Sequence, residues 1–220
     1  MRRKTYGWLT LLLVLSVGLA PAWGDEAHSV EAAAKKVDQY YNHLRAFQAH
    51  FTETYEGAGI SKSEEGTLLL SKPSEMRWDY QAPHPKLFLV DGKFAYFYVP
   101  GDSTAQKMDA RKLDDLRSPL RFLLGRTKLE SELDNLRLAD NSGSEFSLEG
   151  IPKGMETRIS KVRVQANDAG QITALRIEER DGSATTFKFS DFNTNPEIHH
   201  DTFRFEPPAG VTTVRKNGPR

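Results

Sequence analysis

Residues 66–100 constrain the fold of this chain more than any other stretch, because they alternate like β-strands and are rich in apolar side chains. Met76, Trp78 and Tyr80 fall on one face of an extended segment, while the intervening residues are polar. Turn-forming residues at 72–74, 82–85 and 91–92 divide the run, and the last of these is an Asp-Gly hairpin signal. The run therefore predicts a four-strand antiparallel meander over 66–71, 75–81, 86–90 and 93–99.

The last two strands of the meander are apolar on both faces. One set of alternating positions holds Leu87, Leu89, Phe94 and Tyr96. The other set holds Phe88, Val90, Phe97 and Val99. An antiparallel sheet with one solvated face should alternate between apolar and polar residues. We therefore expect that both faces are covered, or that one face meets a ligand.

The N-terminal 24 residues have the pattern of a secretory signal peptide. Three basic residues precede a short apolar run, and Ala22 and Gly24 supply small residues for cleavage. We expect cleavage there, with 25–220 forming a single domain; an uncleaved membrane anchor is the alternative. The remaining chain would hold 27 basic and 30 acidic residues. This slightly acidic balance argues against a nucleic-acid partner.

The chain has no cysteine. No disulfide can support the fold, so the domain must bury a sufficient core by itself. There is also no cysteine after the apolar run that could be lipidated. We therefore expect that the protein is not itself a lipoprotein and is soluble outside the inner membrane. We also expect a monomer located in the periplasm.

Two or three short helices are predicted in a chain that otherwise has strand character, the third of them over 128–136. Ser29 is a candidate N-cap, and Ala33, Val37 and Tyr41 share the apolar stripe of a helix that ends near residue 44. A second helix is predicted over 118–124, with proline at its first turn and glycine after its end.

The predicted strands number about ten or eleven. Period-two alternation begins at Phe47, a Gly-rich turn is predicted over 57–66, and the last strand is predicted over 202–206. So many antiparallel strands can form a closed barrel, a sandwich or one curved sheet. The apolar helices favour the curved sheet. The predicted fold is mainly β with short α: an unclosed antiparallel half-barrel whose concave apolar face lies under a helical lid.

No catalytic or nucleotide-binding motif is present. The only histidine pair, His199-His200, consists of neighbours that point to opposite sides of an extended chain. We therefore expect neither an enzyme, nor a metal site, nor a cofactor.

The apolar surplus is the remaining functional signal. Its members are Leu87, Leu89, Phe94, Tyr96, Trp78, Leu120 and Leu123. One interpretation makes them ordinary core residues. The other places them around a hydrophobic cavity between sheet and helices, with acyl chains as cargo, because each buried CH₂ contributes about 0.8 kcal/mol.

Six segments in order resemble the LolA-type outer-membrane lipoprotein carriers of Gram-negative bacteria. They are 47–52 (FQAHFT), 66–73 (GTLLLSKP), 76–80 (MRWDY), 89–98 (LVDGKFAYFY), 118–124 (SPLRFLL) and 203–211 (FRFEPPAGV). The resemblance implies an unclosed barrel with a helical lid. It also implies acylated lipoproteins as cargo, an inner-membrane ABC-type transporter as donor and an outer-membrane receptor as acceptor.

The resemblance also implies particular site residues. By position, Tyr41, Met76, Trp78, Tyr80, Leu120 and Leu123 would line the acyl-chain cavity. In members of this family an arginine before the meander's proline latches the lid; here the residue is Lys72, which has one ammonium group and no planar fork. The alternative function is a periplasmic domain on the same fold that senses lipid or a partner without transporting anything.

Overall fold

The computed structural model describes residues 29–110 and 128–215. The predicted signal peptide over 1–24 lies outside these ranges. So does the predicted helix over 118–124, with Leu120 and Leu123.

Within these ranges the chain forms two helices and twelve strands. The helices are α1 (Val30–His43) and α2 (Leu129–Glu132). The strands are β1 (Ala46–Gly57), β2 (Ile60–Ser71), β3 (Glu75–Ala82), β4 (Lys86–Asp91), β5 (Phe94–Tyr98), β6 (Thr104–Asp109), β7 (Leu133–Ser142), β8 (Glu145–Pro152), β9 (Ile159–Asn167), β10 (Ile172–Glu179), β11 (Ala184–Asn193) and β12 (Thr212–Arg215).

All twelve strands belong to one sheet, in the order β12-β6-β5-β4-β3-β2-β1-β11-β10-β9-β8-β7. Every described pairing is antiparallel except that of β12 with β6. The sheet is unclosed, because β12 and β7 are its two edges. The predicted fold class, including the meander β2–β5, is confirmed, with twelve strands instead of ten or eleven.

The C-terminal part of the predicted strand pattern is wrong. Residues 202–206 form no strand, and β12 begins only at Thr212. Their period-two pattern has another cause. Phe203 is buried, and Phe205 stacks on Tyr96 with 4.9 Å between ring centroids. The segment therefore packs across the sheet without joining it.

Helix α1 lies on the inner face of the C-terminal half of the sheet. The Oγ of Ser29 accepts a hydrogen bond from the Ala32 amide at 3.0 Å, which confirms the predicted N-cap. Its buried stripe of Ala33, Ala34, Val37 and Tyr41 contacts β7, β8 and α2 and joins the core. Within residues 29–110 and 128–215, no helix has both the length and the apolar character needed to span a membrane.

The outer face of the C-terminal half carries charge. Glu149 on β8 is 1 % exposed and pairs with Arg137 and Arg163, and its carboxylate also lies 3.6 Å from Lys161. Burial opposes ionisation, but these three cations keep the pKa of Glu149 below its ordinary value. The polar outer face thus leaves the inner face as the apolar side of this half.

Candidate functional site

The centre of the inner face is a group of five aromatic side chains from β1, β3 and β11, which we call the aromatic floor. Its members are Phe51, Trp78, Tyr80, Phe187 and Phe189, each at most 6 % exposed. Strand β11 pairs with β1, and β1 reaches β3 through β2, so residues distant in sequence share one face. The Phe51 ring meets Trp78 edge-on at 4.7 Å and Tyr80 at 4.9 Å. Phe187 meets Trp78 edge-on at 5.5 Å.

The two ends of the floor differ in polarity. At one end Met76 is buried between its cross-strand neighbours Leu70 and Val90. At the other end, the half-buried side chains of Glu53, Glu64 and Lys86 form a polar rim.

Hydrogen bonds and an ion pair hold this rim together. The Tyr80 hydroxyl donates to Glu53 at 2.6 Å, and Lys86 pairs with Glu64. The ammonium of Lys86 also lies 4.1 Å from the centre of the Tyr80 ring. The inner face is therefore an apolar surface with one charged margin.

The C-terminal turn of α1 is fixed to the turn between β9 and β10. The buried amide of Ile172 donates to the Tyr41 hydroxyl at 3.2 Å, and Gln171 donates to the Tyr40 hydroxyl at 2.8 Å. Burial raises the pKa of Tyr41 far above its ordinary value, so this hydroxyl stays protonated. Gly170 has φ +87° and lies so close that a Cβ would sit 2.3 Å from the Lys36 carbonyl oxygen. The helix backbone thus rests directly on this turn.

Lys72 connects the turn between β2 and β3 to the same end of α1. Its ammonium donates to the carbonyl of Tyr41 in the last turn of the helix, which also accepts a hydrogen bond from the amide of Leu44 at 3.3 Å. Its positive charge also faces the negative end of the helix dipole. Burial lowers the pKa of Lys72. Lys72 therefore links the meander to the C-terminal end of α1.

Among the described side chains of this face, the indole of Trp78 differs from the others because its buried polar group makes no hydrogen bond. Its Nε1–H is buried and has no hydrogen-bond partner, the single such side-chain group in the part of the chain that the structure describes. A buried donor without a partner costs about 1–3 kcal/mol. Phenylalanine at this position would avoid that cost.

Four of the residues predicted to line the cavity lie on the opposite face. Cross-strand pairing puts Leu89 beside Arg77 and Tyr96, and Leu87 beside Asp79 and Tyr98, with Phe94 alternating onto that same face. The prediction that Leu87, Leu89, Phe94 and Tyr96 share the hollow with Trp78 is therefore wrong. The register gives the inner positions to Phe88, Val90 and Phe97, which pack into the core with Trp78.

The segment after β11 covers the apolar outer patch, which consists of Leu87, Leu89, Phe94 and Tyr96. Arg77 donates to the Thr202 carbonyl at 3.0 Å, which holds the segment after β11 against β3. Phe205 of that segment stacks on Tyr96 and lies 6.0 Å from Tyr98. A groove of about 300 Å³ remains between Leu87, Tyr98 and the segment. The inner face of the meander is thus apolar because it packs into the core, and the outer face is apolar because the segment after β11 packs on it.

Sequence patterns missed three members of the aromatic floor. Phe51, Phe187 and Phe189 each alternate with polar residues, which predicts a buried face but does not say which residues lie opposite. The pairing of β1 with β11 places Phe51 opposite Phe189, which is 138 residues later in the chain. Nowhere in residues 29–110 or 128–215 do three or more histidine and carboxylate side chains form a group that could hold a metal ion.

The model of a known family, outer membrane lipoprotein carrier protein LolA, matches residues 42–206 of this sequence. The chain belongs to the LolA family. It is 29 % identical to the outer-membrane lipoprotein carrier protein of Nitrosomonas europaea over 212 residues, which is 94 % of this chain and 98 % of that protein. It is 30 % identical to the protein of the same name from Proteus mirabilis over 207 residues, with 93 % and 95 % covered.

A solved structure supports the fold independently of sequence similarity. An uncharacterized conserved protein from Thermus thermophilus superposes with a TM-score of 0.56 at 11 % identity. The match covers 84 % of this chain and 97 % of that protein. At this identity the likeness concerns the fold alone.

Proposed function

We propose that this protein is a periplasmic carrier that binds the acyl chains of lipoproteins released from the inner membrane and delivers them to the outer membrane. The observation that carries the proposal is the continuous apolar inner face, with the aromatic floor at its centre, in a chain of the LolA family. The cargo is moved and not converted, so no catalytic group is required.

Acyl chains suit this surface because the free energy of burying them depends on the apolar area removed from water and not on directional contacts. Each CH₂ removed from water contributes about 0.8 kcal/mol. Much of that energy must be offset on loading, since apolar side chains that fill the empty protein must move aside. A carrier needs that offset, because cargo held too tightly would not pass to an acceptor.

The proposed acyl-chain site consists of the inner-face residues. Tyr41, Met76, Trp78 and Tyr80 lie in the buried cluster that includes Phe51, Phe187 and Phe189. Leu120 and Leu123 are assigned to the same site on the family resemblance alone.

The proposed partners follow from the route of the cargo. An ABC-type transporter would release lipoproteins from the inner membrane, and an outer-membrane receptor would accept them. The full-length matches to relatives named as carriers favour this role over a sensing domain on the same fold.

Co-purification tests the proposal directly. The protein isolated from periplasm should carry acylated proteins detectable by mass spectrometry, and the emptied protein should bind a fluorescent fatty-acid probe. A lipid-free preparation that binds neither the probe nor a purified acylated lipoprotein would contradict the proposal. Binding of the probe without any transfer to acceptor membranes would favour the sensing alternative.

Replacing Lys72 with leucine should slow the release of cargo by about two- to tenfold. The variant removes the hydrogen bond from the Lys72 ammonium to the Tyr41 carbonyl, which in this proposal holds α1 in its closed arrangement. A charge-assisted bond of this kind contributes about 1 kcal/mol once its partial exposure is allowed for. The empty closed state is destabilised while the loaded state is not, so cargo leaves less readily. Stopped-flow transfer of a fluorescent acyl probe to vesicles measures this rate.

Lys72→Arg is the matched variant, because it keeps a positive donor at the same position. It should transfer the probe at nearly the rate of the unmodified protein. Equal rates for Lys72→Leu and the unmodified protein would remove the contact from the mechanism.

A further inference from the structure

The unpartnered indole N–H of Trp78 lies in the middle of the inner face. Trp78 is 0 % exposed, and its described ring neighbours are Phe51, Phe187 and Phe189, none of which has a hydrogen-bond acceptor in its side chain. Its flanking cross-strand neighbours, Leu68 and Phe88, are apolar as well. All five of these described neighbours have hydrocarbon side chains.

Other polar side-chain atoms near this surface have partners. The Tyr80 hydroxyl donates to Glu53, and the Tyr41 hydroxyl accepts from the Ile172 amide. Buried donors in folded proteins are nearly always paired, and an unpaired one calls for a specific reason. A ligand that brings its own acceptor into the hollow is such a reason.

We propose that the Trp78 Nε1–H donates a hydrogen bond to the carbonyl oxygen of a bound acyl chain. The ligand class is an acyl ester or acyl amide, because both place a strong acceptor at the head of an otherwise apolar chain. This inference rests on the proposed function and assigns a polar anchor within it.

The polarity of the floor gives the bound chain a direction. From Trp78, the inner row of β3 continues to Met76, which lies between Leu70 of β2 and Val90 of β4, and all three are buried and apolar. In the other direction it continues through Tyr80 to the polar rim. A carbonyl held at Trp78 therefore sends the alkyl tail over Met76 and the polar head toward Lys86.

Three probes of equal chain length separate this hydrogen bond from simple burial. They are methyl hexadecanoate, N-methyl hexadecanamide and hexadecyl trifluoromethyl ether, which offer an ester carbonyl, an amide carbonyl and an ether oxygen too electron-poor to accept a strong hydrogen bond. The unmodified full chain should bind the ester and the amide about three- to tenfold more tightly than the ether. Trp78→Phe keeps an aromatic ring and loses the donor, so this preference should disappear. Comparing the affinities for the ester and the amide shows which of the two carbonyl groups the site binds more tightly.

Phe189→Leu is the matched control variant, since it changes the apolar floor without touching the donor. It should weaken binding of all three probes by a common factor. Trp78→Phe should weaken the two carbonyl probes more than the ether. An equal loss for all three probes in Trp78→Phe would assign the indole a packing role and overturn the proposal.

Nuclear magnetic resonance gives a direct readout that does not depend on the stability of the variant. In ¹⁵N-labelled protein, the indole peak that is missing from Trp78→Phe belongs to Trp78. That peak should move downfield when the ester or the amide is added, and much less with the ether. If Trp78→Phe does not fold, the peak can still be assigned, because the other two tryptophans of the sequence, Trp8 and Trp23, lie in the predicted signal peptide. The probe comparison on the unmodified protein then decides.

The outcomes also separate this inference from the proposed function. Failure of the unmodified protein to bind any of the three probes would contradict both. Tight but equal binding of ester, amide and ether would leave the carrier function standing and overturn the anchor. An indole peak that is already shifted downfield in the empty protein, and does not respond to the carbonyl probes, would overturn it too.

Discussion

Replacing Gly170 with alanine should lower the free energy of unfolding by about 2–5 kcal/mol and detach the middle of α1 from the turn between β9 and β10. The added Cβ would lie 2.3 Å from the Lys36 carbonyl oxygen and 2.9 Å from the Val37 amide nitrogen. Both are helix backbone atoms, so no side-chain rotation relieves the overlap. The left-handed backbone at φ +87° adds about 1–2 kcal/mol for a residue with a Cβ, and overpacking adds about 1–3 kcal/mol. Chemical denaturation measures the change.

Gly182 provides a matched control in the turn between β10 and β11. It has the same φ of +87°, but a Cβ there would meet nothing within 4 Å. Gly182→Ala should therefore cost only the conformational part, about 1–2 kcal/mol. Hydrogen exchange should increase in α1 for Gly170→Ala and stay unchanged there for Gly182→Ala. Equal effects of the two substitutions would mean that α1 does not rest on the turn as the structure shows.

The strand pattern of the meander could be predicted because its information is local. Met76, Trp78 and Tyr80 alternate with polar residues, and Asp91 and Gly92 mark the hairpin that joins β4 to β5. Helix α1 could also be predicted from the sequence, because Ser29 caps it and its apolar stripe repeats at helical spacing. In each case the residues that decide the structure lie within a few positions of one another.

The orientation of β4 and β5 could not be predicted, because both of their faces are apolar. Leu89 and Phe88 look alike as candidates for the hollow. What separates them is the pairing register with β3, where Leu89 faces Arg77 and Phe88 faces Trp78. The cover of the outer patch comes from Phe205, more than a hundred residues later. A period of two fixes which residues share a face, but not which face is inside.

The long hairpin of β1 and β2 shows a further limit. The sequence predicts a Gly-rich turn over 57–66, yet the turn is confined to Ala58 and Gly59 and β2 begins at Ile60. The residues that follow Ile60 are polar on both faces and largely exposed. Without a buried face they carry no hydrophobic alternation, and they become a strand because β1 beside them supplies the backbone partners.

A carboxylate at position 76 should reduce acyl-probe binding at pH 7 by a hundredfold or more. Met76 is 6 % exposed on the inner face, between Leu70 and Val90. An ionised aspartate there would have to keep water in the hollow or lose its hydration, and both oppose an acyl chain. Burial raises the pKa of such a carboxyl group, so binding should recover as the pH falls and the group becomes neutral. Titration of a fluorescent fatty acid at several pH values measures both effects.

Leu89→Asp is the control for this prediction, because it buries the same charge on the other face of the sheet. Leu89 is 0 % exposed and faces Arg77 and Tyr96 instead of Trp78. Both variants should be less stable than the unmodified protein, which circular dichroism and thermal melting will show. While folded, only Met76→Asp should lose the probe, since only that position adjoins the aromatic floor. Equal loss of binding would mean that instability, and not the chemistry of the inner face, removes the probe. Unchanged binding in Met76→Asp would place the acyl chain elsewhere, because a charge next to a bound acyl chain would weaken its binding.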